Sequence, residues 1–276
     1  MKIALSIDSA CDIPQEIIKN NNIFVMPYFI MLGDRECVDG EISQKEIYDY
    51  VKQTGILPKT AAVGVEQFKE YFQNILKSYD EVIHITLSSK MTSSTSNAIE
   101  ASASIPNVHI VDSKSLSSGI GLVALACLDK IKEGKNVDTI VKELEEIIPK
   151  VQASFLVDTL KFLYKGGRCS ALSSLMATLL KIKPKISVID GKMEVTKKYL
   201  GNINSSLIKY VNDTLAGNNP DKKRAFVTHS SPMEISPKIV ELLKEYGFEE
   251  VYDCLASSTI SSHCGPNTLG ILFVNN

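Results

Sequence analysis

Residues 81–98 read EVIHITLSSKMTSSTSNA, an apolar run that passes directly into a hydroxyl-rich segment. The run Glu81–Thr86 predicts a strand, and the Ser/Thr residues after it predict the start of a helix that ends near Ser104. The same passage from strand to helix occurs at the beginning of the chain, from Lys2–Ile7 to Pro14–Asn20. Strands that alternate with helices of these lengths indicate βαβ units and a largely parallel sheet. We therefore predict an α/β fold.

The pattern changes in the second half of the chain. Two apolar runs, Lys185–Ile189 and Met193–Tyr199, flank Asp190-Gly191, a dipeptide that is typical of a β-hairpin turn. Antiparallel pairing is therefore expected to begin after the first sheet is complete. We predict two α/β domains: residues 1–150, with a mostly parallel sheet flanked by helices, and residues 151–276, with a mixed sheet and helices.

The composition excludes several classes of protein. Lys and Arg number 30 and Asp and Glu 32, so the net charge of −2 gives no basic surface for nucleic acid. No run approaches the roughly 18 apolar residues of a membrane helix. The six cysteines lie far apart, without a zinc-binding spacing, so we expect no metal site. Because the first residues are too short an apolar run for a secretion signal, we expect a cytoplasmic protein with reduced thiols.

The hydroxyl-rich segment is the first candidate binding site. Seven of the ten residues 87–96 are Ser or Thr. A helix that begins just beyond the carboxyl end of a strand offers unpaired backbone N–H groups to an anion, and hydroxyls can add further donors. The alternative is a helix cap on a solvated loop, which accounts for one or two of the hydroxyls.

Other candidates lie on short loops. Pro58-Lys59-Thr60 is a loop before a helix, and its own residues indicate only a turn with a hydroxyl. Lys165-Gly166-Gly167-Arg168 is either a surface turn or a loop in which two glycines hold out an arginine for an anion. His263 precedes Cys264-Gly265-Pro266 in what we expect to be a rigid loop, where an imidazole can be functional. Asp12, just ahead of Pro14, is interpreted as the cap of the helix that follows.

These motifs, taken in order along the whole chain, resemble the DegV family, whose members are fatty acid-binding proteins. The resemblance is carried by the following residues: Asp8-Ser9 with Asp12, Pro58-Lys59-Thr60, Ser88-Ser89-Lys90-Met91-Thr92 with Asn97-Ala98, Val111-Asp112-Ser113, Leu163-Tyr164-Lys165-Gly166-Gly167-Arg168, Lys183-Pro184, Asp190-Gly191, and His263-Cys264-Gly265-Pro266 with Gly270.

The resemblance implies a bacterial carrier that holds one long-chain fatty acid in a tunnel between its two domains. It implies that the carboxylate binds the hydroxyls of Thr60 and Thr92 near the backbone of Ser93, with Arg168 and His263 close to the head group. It also implies that a separate ATP-dependent kinase subunit phosphorylates the bound acid for phospholipid metabolism. The carrier itself then needs no cofactor, metal or catalytic residue.

The chain departs from the family pattern beside the expected head group. Met91-Thr92-Ser93-Ser94 stands where the family commonly has Leu-Ser-Gly-Thr, so Ser93 adds a side chain where glycine permits close approach. An alternative function stays open: a hydrolase or transferase that acts on a small acyl or anionic substrate, with His263 as acid and base. The absence of a G-x-S-x-G nucleophile motif weighs against that alternative.

Overall fold

The computed structural model describes residues 2–169 and 182–276. Its strands are β1 (Ile3–Asp8), β2 (Phe24–Met26), β3 (Phe29–Leu32), β4 (Arg35–Val38), β5 (Lys59–Ala61), β6 (Glu81–Thr86), β7 (Val108–Asp112), β8 (Val151–Leu156), β9 (Ile182–Ile189), β10 (Lys192–Leu200), β11 (Pro220–His229), β12 (Glu250–Leu255) and β13 (Leu269–Asn275). Its helices are α1 (Gln15–Asn20), α2 (Gln44–Thr54), α3 (Val65–Leu76), α4 (Ser94–Ser102), α5 (Ser118–Lys132), α6 (Val137–Ile147), α7 (Lys161–Gly166), α8 (Ile203–Ala216), α9 (Ser236–Tyr246) and α10 (Ser258–Cys264). The α/β fold class is confirmed.

The first sheet is parallel, with strand order β2-β1-β6-β7. Its central strands are almost entirely buried, as continuous apolar runs predict for strands covered on both faces. Strand β6 spans Glu81–Thr86 as predicted, and α4 follows it after the hydroxyl-rich segment. The carboxyl ends of these strands therefore carry the loops on which ligands bind in sheets of this kind.

The second sheet is mixed, with strand order β10-β9-β8-β13-β11-β12, in which only β11 and β12 pair in parallel. The predicted hairpin joins β9 to β10. Asp190 and Gly191 form its turn with φ values of 48° and 80°. Both central residues of such a turn need positive φ, which explains why Asp-Gly predicts it.

A third, antiparallel sheet of order β4-β3-β5 was not predicted. The apolar run Ile23–Met31 divides into β2, which joins the parallel sheet, and β3, which forms the centre of the small one. The expected loop at Pro58-Lys59-Thr60 is wrong in part, because Lys59–Ala61 is a strand. This strand is only three residues long, too short for its alternation to be recognised in the sequence.

Helix α5 packs against strands of both larger sheets, and one continuous hydrophobic core includes residues from each of them. The helix is buried around most of its circumference, as its nearly continuous apolar sequence predicts. Within the described residues, no helix combines the length and the apolarity needed to cross a membrane. The division into domains at residue 150 stays a prediction.

Two expectations near the amino-terminal strand and the histidine loop are wrong. His263 lies in the last turn of α10 rather than in a loop. Asp12 does not cap α1, whose first turn has no side-chain cap. Its carboxylate instead accepts a hydrogen bond from the backbone N–H of Ser257, 2.8 Å away, just before α10. Because α10 has only seven residues, most of them small or polar, its sequence carries no recognisable helical period.

Candidate ligand-binding site

A cavity of about 550 Å³ lies beyond the carboxyl end of β6, between the loop that leads into α4, strand β5, and helices α7 and α10. Its size is within the range of small-molecule sites. The five predicted site residues all line it: Thr60, Thr92, Ser93, Arg168 and His263. Residues that lie up to 203 positions apart in the chain are therefore brought to one place.

Thr60 and His263 are in direct contact. The hydroxyl oxygen of Thr60, on β5, lies 2.8 Å from Nε2 of His263, on α10. The other ring nitrogen of His263 is buried and has no hydrogen-bond partner among the described residues. A hydrogen on Nε2, donated to Thr60, leaves the threonine free to donate its own hydrogen to a ligand.

His263 is uncharged at neutral pH. Burial, together with the nearby positive charge of Arg168, lowers the pKa of its imidazole to about 4. A neutral imidazole cannot form an ion pair with an anionic ligand. Its role at this cavity is therefore that of a hydrogen-bonding group next to Thr60.

The start of α4 supplies a second group of donors. The hydroxyl oxygen of Thr92 accepts a hydrogen bond from the backbone N–H of Ser94 at 3.1 Å, and the Thr92 hydroxyl donates to the hydroxyl oxygen of Ser94 at 3.2 Å. Ser93 is exposed at the cavity mouth, where the first turn of the helix leaves backbone N–H groups without partners inside the helix. An anion here would also experience the favourable end of the helix dipole.

Arg168 lies at the rim of the cavity. Helix α7 ends at Gly166, and Gly167 then adopts the left-handed conformation with φ of 71°. The Arg168 guanidinium is exposed and donates a hydrogen bond to the carbonyl oxygen of Gly166 at 2.6 Å. Its remaining donors lie at the rim, where the Gly-Gly-Arg motif is predicted to hold an arginine for an anion.

The interior of the cavity is apolar and was not predicted residue by residue. Its walls include Leu87, Met91, Leu116, Leu163, Met193 and Ile260. Leu116, Ile260 and Cys264 also line a smaller inner cavity of about 20 Å³, whose far wall includes Phe155 and Leu272. The apolar surface therefore continues from the polar mouth toward the mixed sheet, on which Phe155 and Leu272 lie.

Tyr28 is a polar residue of the cavity wall that the sequence analysis missed. Its hydroxyl donates to the buried carboxylate of Asp8 at 3.1 Å, and burial raises its pKa well above the ordinary value. The backbone N–H of Leu87 donates to the same carboxylate oxygen at 2.8 Å. Asp8 thus holds the beginning of the hydroxyl-rich segment, a role that no local sequence signal indicates.

Comparison with known proteins identifies the family. A model of the DegV family of uncharacterised proteins matches residues 2–276. The chain belongs to the DegV family. Protein DegV of Bacillus subtilis is 32% identical over 284 residues, which cover 98% of each chain.

Solved structures of DegV family proteins have the same fold. A DegV family protein from Thermus thermophilus, described for its fatty acid binding, matches with a TM-score of 0.91 and 26% identity over 100% of both chains. DegV from Bacillus subtilis, described as a fatty acid-binding protein, matches with a TM-score of 0.86 and 29% identity over 100% of both chains. The two-domain fold expected from the resemblance is therefore that of the family.

Proposed function

We propose that this DegV family protein binds a long-chain fatty acid and presents its carboxylate to a separate ATP-dependent kinase subunit. The observation that carries the proposal is the cavity, whose mouth is formed by hydroxyls and whose interior is apolar. An acid with a long aliphatic chain is the ligand that fits both parts. The fatty acid binding of related proteins from Thermus thermophilus and Bacillus subtilis supports the same ligand class.

The proposed head-group site satisfies the carboxylate with hydrogen bonds. A carboxylate removed from water is unfavourable unless donors replace the lost hydration. Thr60 and Thr92 are the proposed hydroxyl donors, with the backbone at Ser93 and the guanidinium of Arg168 nearby. Each methylene group buried in the interior contributes about 0.8 kcal/mol, so the chain supplies most of the gross affinity.

The orientation of the cavity supports the proposed presentation to a kinase. The residues at the polar end, Ser89, Lys90, Ser93 and Arg168, are exposed, whereas the apolar end is enclosed. The carboxylate would therefore face outward while the chain is buried. The sequence has no phosphate-binding loop of its own, so the phosphoryl donor is assigned to a separate subunit.

Native mass spectrometry of the protein purified without added lipid tests the ligand class. We expect an added mass that matches a fatty acid, and a large loss of it in a Thr60→Ala/Thr92→Ala double variant. A Thr54→Ala/Thr139→Ala variant, which removes two hydroxyls outside the cavity, should retain the ligand. A repeated apo mass, with no acyl species in organic extracts, would contradict the proposal.

A second assay tests the role of the protein as a carrier. The protein loaded with fatty acid should form no acyl phosphate with ATP alone, and should form it when an ATP-dependent fatty acid kinase subunit is added. The Thr60–His263 pair also permits the alternative of a hydrolase with His263 as acid and base. Hydrolysis of a p-nitrophenyl ester that disappears in a His263→Ala variant would favour this alternative.

A further inference from the structure

Helix α10 carries four residues of the cavity wall, and its first N–H groups bind two carboxylates from another part of the chain. Asp12 accepts the N–H of Ser257 at 2.8 Å, and Asp39 accepts the N–H groups of Ser258 and Thr259 at 3.0 and 3.3 Å. Three successive N–H groups at the start of the helix are thus bound by side chains rather than by water. Such groups have no partners within a helix, and carboxylates are favourable at this end.

The two carboxylates are themselves fixed by hydroxyls. Ser117 donates to the second oxygen of Asp12, which is only 4% exposed. Ser9 donates to the second oxygen of Asp39 at 2.8 Å. Each acid therefore has both oxygens engaged, one by α10 and one by the loops that follow β1 or precede α5. This arrangement positions the start of α10 relative to the parallel sheet.

Asp39 also connects α10 to Thr60 through the small antiparallel sheet. Asp39 directly follows β4, which pairs with β3, and β3 pairs with β5, where Ile30 lies opposite Thr60. Thr60 is thus connected to Asp39 through β5, β3 and β4, and Asp39 is connected to His263 through α10. The hydrogen bond of 2.8 Å between His263 and Thr60 joins the two ends of this series of contacts. His263 is four residues after Thr259, about one helical turn or 6 Å along the axis.

We infer that Asp12 and Asp39 are positioning residues that set the contact between His263 and Thr60 and so complete the head-group site. Neither carboxylate lines the cavity. They act by fixing the start of α10. Because His263 lies on the same short helix, the position of the imidazole depends on these contacts. Two other contacts help to hold the same segment, from Gln44 to the carbonyl of Ala256 and from Ser258 to the carbonyl of Ile42. Removal of one carboxylate is therefore expected to shift the helix without unfolding the protein.

The test compares Asp39→Ala with Asp39→Asn by NMR titration of the His263 imidazole, assigned with a His263→Gln variant. Burial and the charge of Arg168 lower the pKa of His263, so an upward change reports a ring that has moved toward water or away from Arg168. We expect Asp39→Ala to raise this pKa by about one unit. Asp39→Asn keeps an oxygen for the N–H groups of Ser258 and Thr259, and should restore most of the wild-type value.

Binding of sodium hexadecanoate is the second readout, and this arm rests on the proposed function. Asp39→Ala should weaken binding about tenfold, and Asp39→Asn should recover most of the loss. The control is Asp213→Ala, which removes a carboxylate on α8 that accepts hydrogen bonds from Lys197 and Tyr199 of β10, away from the cavity. It should lower stability without changing either readout.

The outcomes separate the two proposals. If wild-type protein binds no hexadecanoate but the pKa of His263 responds to Asp39→Ala, the proposed function fails and the positioning role stands. If a folded Asp39→Ala variant keeps the wild-type pKa and affinity, the positioning role is overturned. Should Asp39→Ala fail to fold, Ser9→Ala frees one oxygen of Asp39 and leaves its contacts with α10 in place. That variant should raise the pKa of His263 by a smaller amount, and an unchanged pKa would equally overturn the inference.

Discussion

Gly166 packs directly against the imidazole of His263. A Cβ atom at position 166 would lie 2.7 Å from Nδ1 of His263, closer than side chains approach one another. The absence of a side chain on the last residue of α7 therefore allows α7 and α10 to meet. In the Gly-Gly-Arg motif, the first glycine makes room for the histidine and the second supplies the positive φ that turns the chain toward Arg168.

Because of this contact, we expect the effect of Gly166→Ala on the free energy of unfolding to change sign when His263 is removed in a double-mutant cycle. Gly166→Ala should destabilise the wild-type protein by about 1–3 kcal/mol, because the added methyl group overpacks the contact. In a His263→Ala background the same change should be neutral or stabilising by up to about 1 kcal/mol, since alanine is the better helix former. Urea unfolding of the four proteins measures both values. Equal destabilisation in the two backgrounds would show that His263 does not limit position 166.

Removal of the positive charge at Arg168 should raise the pKa of His263. Arg168 is the second cause of the lowered pKa, after burial, so Arg168→Ala should bring it above about 4 while burial keeps it below the ordinary value near 6.5. NMR titration of the imidazole measures the shift. Lys165→Ala is the control and should leave the pKa unchanged. An unchanged pKa of His263 in Arg168→Ala would show that the guanidinium lies too far from the imidazole to affect it.

The sequence predicted the strand and helix elements best where hydrophobic periodicity was long enough to recognise. Glu81–Thr86 and the Asp-Gly hairpin were confirmed because a continuous apolar run and turn chemistry are local properties. Helix α10 and strand β5 were missed because neither has a pattern of its own. The first depends on Asp12 and Asp39, and the second on pairing with β3.

The residues of the candidate site also divide into those that the sequence predicted and those that it did not. Only the family resemblance associated the five predicted residues with one site, because the motifs taken singly left a turn or a cap open beside a binding role. Tyr28 and Asp8 were not associated with Thr92, since their contact joins different loops at the end of the parallel sheet. Asp12 was assigned to the nearest helix in the chain, but its partner lies 245 residues away. Contacts of this range depend on the folded topology.

Asp12 should give the protein a specific dependence of stability on pH. Burial raises its pKa to about 7, although hydrogen bonds from Ser117 and Ser257 lower it and the charge of Asp39 raises it. An unfolded aspartate titrates near 3.9, so between these values the folded protein binds more protons than the unfolded chain. The contribution of Asp12 to stability is therefore highest below about pH 4, and it falls as the pH rises toward 7.

The comparison with Asp12→Asn isolates this effect. The asparagine does not titrate and keeps an oxygen for the N–H of Ser257. Relative to wild type, the variant should gain about 2–4 kcal/mol between pH 4 and pH 8, measured by urea unfolding at several pH values. Asp34→Asn, at an exposed turn, is the control. Parallel pH profiles of wild type and Asp12→Asn would contradict the raised pKa.

Gly191 should be more sensitive to substitution than its backbone conformation alone requires. It adopts φ of +80°, its carbonyl accepts a hydrogen bond from Ser88 at 2.8 Å, and a Cβ atom there would lie 2.5 Å from the Ser88 hydroxyl oxygen. Gly40 has a comparable φ of +98° with nothing within 4 Å, so Gly40→Ala measures the backbone strain alone, expected at about 1–3 kcal/mol. Gly191→Ala should lower the free energy of unfolding by more than Gly40→Ala does, and the excess should disappear when Ser88→Ala is added.

Because Ser88 and Thr92 lie close together in the hydroxyl-rich segment, Gly191→Ala should also weaken retention of a fatty acid, whereas Gly40→Ala should not. Equal unfolding free energies for the two alanine variants would mean that the hairpin turn does not depend on its contact with the hydroxyl-rich segment.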